Sequence, residues 1–274
     1  MWGTWDRVKD DDLSACAERE KPTVVRLVTM LERYNVEATW AVVGRLFDSP
    51  DPGMPGAERC WYDPGLLDAV RGSSVPHEIG SHSYTHVYFD RIAPEGAREE
   101  LGLAADAHRR AGLPFTSFVF PRNRVAHLRE LDRAGLSVFR STDGGLLGAV
   151  GKTAPRLRPL ANLAEKATGW PPPLVAPLAG RSGLVELPSS TLLLGRGGAR
   201  RVIHPAVTRA RLLGALRRAT RGRVFHLWFH PSNFYVDAEV QFGVLDAVLA
   251  EASELRARGL LDVRTMGSFA GAVS

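Results

Sequence analysis

The strongest constraint on this chain is its alternation of short apolar runs with amphipathic helical stripes. Val24, Val25, Leu27, Val28 and Leu31 recur at helical spacing behind Pro22 and predict a helix over 22–34, ended by Asn35. Residues 37–43 follow as an apolar strand, which Gly44 breaks. The succession then repeats: helix 64–70, strand 77–81, helix 94–111, strand 115–120, helix 125–134 and strand 137–140. Later come strand 184–187, helix 205–220, strand 223–230, helix 237–258, strand 260–264 and a short helix over 266–272. Residues 1–20 read as a loop in which Asp10, Asp11 and Asp12 cap a short turn. Residues 48–65, rich in proline, glycine and aspartate, form a loop whose Trp61 and Tyr62 either stack on a sugar ring or pack onto the domain. Residues 144–182, with Pro171-Pro172-Pro173 and no clear period, read as an insertion with one or two short helices. Such alternation predicts an α/β fold with a parallel sheet, and the number of units suits a distorted (β/α) barrel as one domain over 1–274. Chemistry on such sheets gathers at the C-terminal strand ends, where His82, His86, Pro121-Arg122-Asn123, Asp143 and His230 fall.

Bulk properties exclude several classes. The 274 residues are 45% hydrophobic and 24% charged, which permits a sizeable core. No apolar run reaches the roughly eighteen residues of a membrane span. The start, Met1-Trp2-Gly3-Thr4-Trp5-Asp6, lacks the basic and apolar regions of a signal peptide, so a cytoplasmic location and reduced Cys16 and Cys60 are expected. The net charge of +5 is concentrated in arginines between Arg196 and Arg223. A solvated helix face explains them better than nucleic acid, because no aromatics are interleaved; contact with a membrane surface stays open if the substrate is lipid-linked. No protein partner is inferable.

The run His77-Glu78-Ile79-Gly80-Ser81-His82-Ser83-Tyr84-Thr85-His86 carries the sharpest chemistry. Histidines four apart share one face of a helical turn, where two imidazoles can meet one cation; two surface histidines in a loop are the plain alternative. The run resembles the histidine motif of the polysaccharide deacetylases, the NodB-type carbohydrate esterases, in which the pattern His-(Ser/Thr)-x-x-His binds the metal. The resemblance implies that His82 and His86 are ligands of a divalent metal, zinc first. It covers nearly the whole chain and implies a hydrolase that removes N-acetyl groups from N-acetylated sugars in a surface or cell-wall glycan.

Further along, Leu227-Trp228-Phe229-His230-Pro231 is similar to the family's late motif, whose histidine is the general acid; this assigns that role to His230 and a pocket-shaping role to Trp228. Phe120-Pro121-Arg122-Asn123 sits where the family has an arginine-proline-aromatic motif, in a different order, and Pro121, Arg122 and Asn123 are expected to contact substrate or orient a carboxylate. His226 shares a strand face with Trp228 and His230 and reads as a core histidine bonded to a neighbour.

Family members open on a strand whose acidic motif supplies a base and a third metal ligand. Here Trp2-Gly3 resembles the end of that motif, which places the acidic strand upstream of Met1 and implies a start codon assigned too late. Asp6 and Asp10 are the nearest acids. With two ligands of the three that catalytic zinc keeps, weak metal binding and slow turnover are expected of this polypeptide. Three other readings follow: a hydrolase of a small non-sugar amide on the same fold, a catalytically impaired glycan-binding relic, and an interaction protein using its basic helix.

Overall fold

The computed structural model describes residues 10–48, 62–142, 164–180, 183–219 and 222–272. Asp6, Cys60, Trp61, Asp143, most of the expected insertion and the side chains of Asp10 and Cys16 lie outside them.

The longer α-helices are α1 (Asp10–Arg33), α2 (Pro64–Arg71), α3 (Pro94–Arg110), α4 (Leu128–Arg133), α5 (Pro205–Arg218) and α6 (Ala238–Ala257), and residues 164–167 are also helical. The strands are β1 (Thr39–Val42), β2 (Glu78–Ser81), β3 (Ser117–Val119), β4 (Val138–Arg140), β5 (Leu178–Ala179), β6 (Val185–Leu187), β7 (Thr191–Leu192) and β8 (Leu227–Trp228). Six form one sheet in the order β1-β2-β3-β4-β6-β5, and β7 pairs with β8 in a second. All pairings are parallel except β5 with β6. This is the α/β architecture that the alternation predicts.

The two faces of the main sheet are sorted by strand periodicity. Phe118 and Phe139 face outward with Phe120 and pack on Phe89, Leu101 and Leu131 beneath α3 and α4. Val119, Val138, Val185 and Leu187 gather on the opposite face against Met266. A third core joins α1, α5 and α6 through Leu27, Leu31, Leu212, Leu216, Phe242 and Leu245. The end of the sheet that carries the strand N-termini is closed by hydrogen bonds. Thr39 Oγ1 donates to Glu78 Oε2 at 2.7 Å and accepts the Met266 N–H at 2.7 Å, while the Gly267 N–H donates to Glu78 Oε2 at 2.8 Å.

Three local expectations need correction. The helix expected from Pro22 instead runs from Asp10 straight through Pro22. Proline forfeits one hydrogen bond there, but Ala15, Ala17, Glu18, Arg19 and Lys21 are strong helix formers, so the helix continues N-terminally. Residues 260–264 form no strand; Leu261 and Val263 pack against the α1–α6 core without a backbone ladder, and apolar alternation looks the same in both cases. Of 223–230 only Leu227–Trp228 is strand, with Val224 making an isolated bridge to Val175.

Candidate active site

The C-terminal ends of β2, β3, β4 and β8 bring the candidate residues together. His82 follows β2 directly, and its N–H donates to the Val42 carbonyl at 2.8 Å, extending the β1–β2 pairing by one residue. The chain then leaves the sheet. The segment 82–86 is not the helical turn that the spacing predicts: Ser83 and His86 have φ of 65° and 63°, in the left-handed region. Non-glycine residues there cost free energy and are held by their surroundings. Here the Ser83 hydroxyl accepts the His86 N–H at 2.9 Å, and the Ser83 and Tyr84 carbonyls accept the N–H groups of Gly44 and Arg45 at 2.8 and 3.0 Å. The turn nevertheless brings the two imidazoles to a centroid separation of 4.9 Å, edge to face.

The tautomer of His82 follows from its contact. Nδ1 lies 2.6 Å from the Val119 carbonyl, an acceptor only, so Nδ1 carries the proton and Nε2 keeps its lone pair. Burial, then the neighbouring His86, hold His82 well below the usual histidine range; the Val119 carbonyl opposes them, and His230 and Arg140 add to the depression. A metal-binding histidine commonly donates its second nitrogen to a backbone carbonyl in this way. The pair therefore fits two positions of a divalent cation's shell. Among the described residues no group of three histidine, cysteine or carboxylate side chains completes that shell.

The opposite wall is cationic. Arg140, buried at the end of β4, donates from Nη2 to Asn123 Oδ1 at 2.6 Å, and its guanidinium lies 4.1 Å from the centroid of the Trp228 ring. Trp228 in turn meets His230 edge to face at 5.5 Å. His230 is reached by solvent, yet burial of its ring, then Arg140 and Arg122, lower its pKa to about 4. Its N–H donates to Asn233 Oδ1 at 2.8 Å, which seats it at the head of the turn Pro231–Phe234. Pro121 is buried, and Arg122 and Asn123 both take φ of 55°, so a strained turn closes β3 beside this wall.

The structure thus brings His82, His86, Arg122, Asn123, Trp228 and His230 to one end of the sheet. His226 stands apart from that group: its Nδ1 pairs with the Pro188 carbonyl at 3.0 Å. Arg140 escaped the sequence reading. Its one signal was a charged residue closing the apolar run Val138-Phe139-Arg140 at the C-terminal end of a strand.

The polysaccharide deacetylase family profile matches residues 5–136, which include both histidines of the turn and Pro121-Arg122-Asn123 but not Arg140, Trp228 or His230. A structure from Mycobacterium smegmatis assigned to the polysaccharide deacetylases shares 18% identity with this chain, covering 88% of it and 79% of its own length with a TM-score of 0.51. The Xyl-CE4 domain of a multidomain xylanase from the hindgut metagenome of Trinervitermes trinervoides shares 14% identity over 91% of this chain and 84% of its own, with a TM-score of 0.49. A family 4 carbohydrate esterase from Streptomyces lividans shares 13% identity over 92% and 88%, with a TM-score of 0.48. No curated protein sequence matches. The histidine turn lies within the profile match: over residues 5–136, just under half of its length, this chain is similar to the polysaccharide deacetylase family, and its α/β fold is that of the M. smegmatis structure.

Proposed function

We propose that the chain is a divalent-metal-dependent deacetylase of N-acetylated sugars in a surface or cell-wall glycan, with His82 and His86 as metal ligands and His230 as the group that protonates the leaving amine. The observation that carries this reading is the His82 imidazole: proton fixed on Nδ1 by Val119, lone pair left on Nε2, and the His86 ring beside it. A bound divalent cation, zinc first, would polarise the acetamide carbonyl and lower the pKa of attacking water. The remaining work falls to the chain. With a pKa near 4, His230 is neutral at pH 7, so the proton it delivers must first be received during the reaction. Water that attacks the carbonyl releases such a proton, and a neutral imidazole can take it and pass it to the amine nitrogen. The turn formed by Pro121, Arg122 and Asn123 and the Trp228 ring stand at the same end of the sheet as His230 and are assigned to substrate contact.

The test is acetate release from an N-acetylated chito-oligosaccharide by the protein supplied with Zn2+. The expectation is that His82→Ala and His86→Ala each lower turnover by about 100-fold or more, and that His230→Asn lowers kcat with little change in KM. Turnover that survives both ligand substitutions overturns the proposal.

A further inference from the structure

The two left-handed residues of the histidine turn leave Tyr84 and Thr85 outside both sheet and helix, so their N–H groups have no ladder to join. One side chain receives both. Glu100, in the second turn of α3, accepts the Tyr84 N–H at 3.1 Å and the Thr85 N–H at 3.0 Å on Oε2, and the Thr85 hydroxyl at 2.5 Å on Oε1. Bonds to an ionised carboxylate are roughly twice as strong as neutral ones, and consecutive N–H groups converging on one oxygen form an anion-binding nest. A second tether reaches the same helix. The Tyr84 hydroxyl donates to Asp48 Oδ2 at 2.5 Å, and Asp48 Oδ1 accepts from Arg110 Nη2 at 2.7 Å. Tyr84 gains its seat because residue 44 is glycine: a Cβ there would stand 2.8 Å from Tyr84 Cδ2.

We infer that Glu100 is a positioning residue for the histidine pair: from α3 its carboxylate fixes the backbone between His82 and His86, and so sets the distance and orientation of the two imidazoles. It acts through the backbone of Tyr84 and Thr85 and through the Thr85 hydroxyl. The functional consequence rests on the deacetylase reading above; the anchoring itself does not.

The experiment compares wild type, Glu100→Ala, Glu100→Gln and Glu95→Ala by amide hydrogen exchange and by calorimetric titration with Zn2+ alone. Glu100→Ala is expected to speed exchange at Tyr84 and Thr85 at least about tenfold relative to Ile79, and to weaken zinc binding by about 10- to 100-fold. Glu100→Gln keeps one acceptor oxygen and is expected to fall between, and it serves if Glu100→Ala does not fold. Glu95, paired with Arg98 on the surface of the same helix, is expected to change neither readout. Unchanged exchange in Glu100→Ala overturns the anchor. Faster exchange and a lower Tm with unchanged zinc affinity overturn the positioning role and leave a structural one. If the wild type shows no zinc binding that His82→Ala removes, the metal reading of the pair fails, and the positioning role falls with it, while exchange still decides the anchor.

Discussion

After burial, Arg140 is the main influence that keeps His230 neutral. A guanidinium close to an imidazole penalises the protonated ring, and Arg140 is the larger of the two cationic influences on His230, after burial. Replacing it with methionine keeps an unbranched stem and removes the charge. The His230 midpoint is then expected to rise from about 4 toward the ordinary 6.5, read from the imidazole proton shifts in an NMR titration. Lysine in its place would keep the cation but lose the planar stack on Trp228 and the fork that reaches Asn123, so the midpoint should stay low while Trp228 fluorescence changes. At this scale the sequence was legible where contacts are local. His82 and His86 are four apart, and their pairing is written in five residues. Arg140 acquires meaning only when β4 and β8 arrive at the same end of the molecule, a coincidence set by tertiary packing. Glu100 is spelled as one more helix glutamate, and its target is main chain.

Among the elements, α5 shows how a basic segment can be structural. Arg217 meets Glu251 of α6 at 2.6 and 3.0 Å, and Arg218 donates to the Pro172 carbonyl at 2.9 Å. Arg211 is buried; its Nε donates to the Trp170 carbonyl at 2.8 Å and its Nη2 lies 3.7 Å from Glu165. Arg211 and Arg218 bind the 165–172 segment to the helix face and Arg217 joins α5 to α6, which gives partners to three of the arginines that charge counting assigns to solvent. Arg211→Ala leaves the Trp170 carbonyl without that donor and is expected to cost about 1–3 kcal/mol, measured by urea denaturation. Helix and strand positions were mostly legible because one period dominates each segment. What was not legible had no period to show: the two-residue β5 and β7, the left-handed exits of β2 and β3, and the passage of α1 through Pro22, where local propensity outweighs one lost hydrogen bond.

For the whole molecule, the histidines make stability depend on pH in one direction. Burial is the largest cause holding His77, His82, His108 and His230 below the ordinary value of 6.5. The unfolded chain therefore binds protons first as pH falls, and these groups' contribution, complete above about 6.5, is lost as pH drops toward 4. Denaturation midpoints measured between pH 7 and 4 should fall accordingly, and less steeply in His108→Gln, whose ring lies in a wholly buried setting between Phe47 and Phe115. Charge and hydrophobic patterning alone gave the α/β class and the end of the sheet at which chemistry collects. The seal at the other end depends on Glu78 meeting Thr39 and Gly267, a residue 189 positions away in the chain. That seal has a consequence for traffic. Val119, Val138, Val185 and Leu187 pack beneath the histidine end of the sheet, and Met266 and Gly267 bond over the strand N-termini. Among the described residues these side chains stand between the two ends of the strands, so on the deacetylase reading proposed above substrate and product share one approach, from the histidine end.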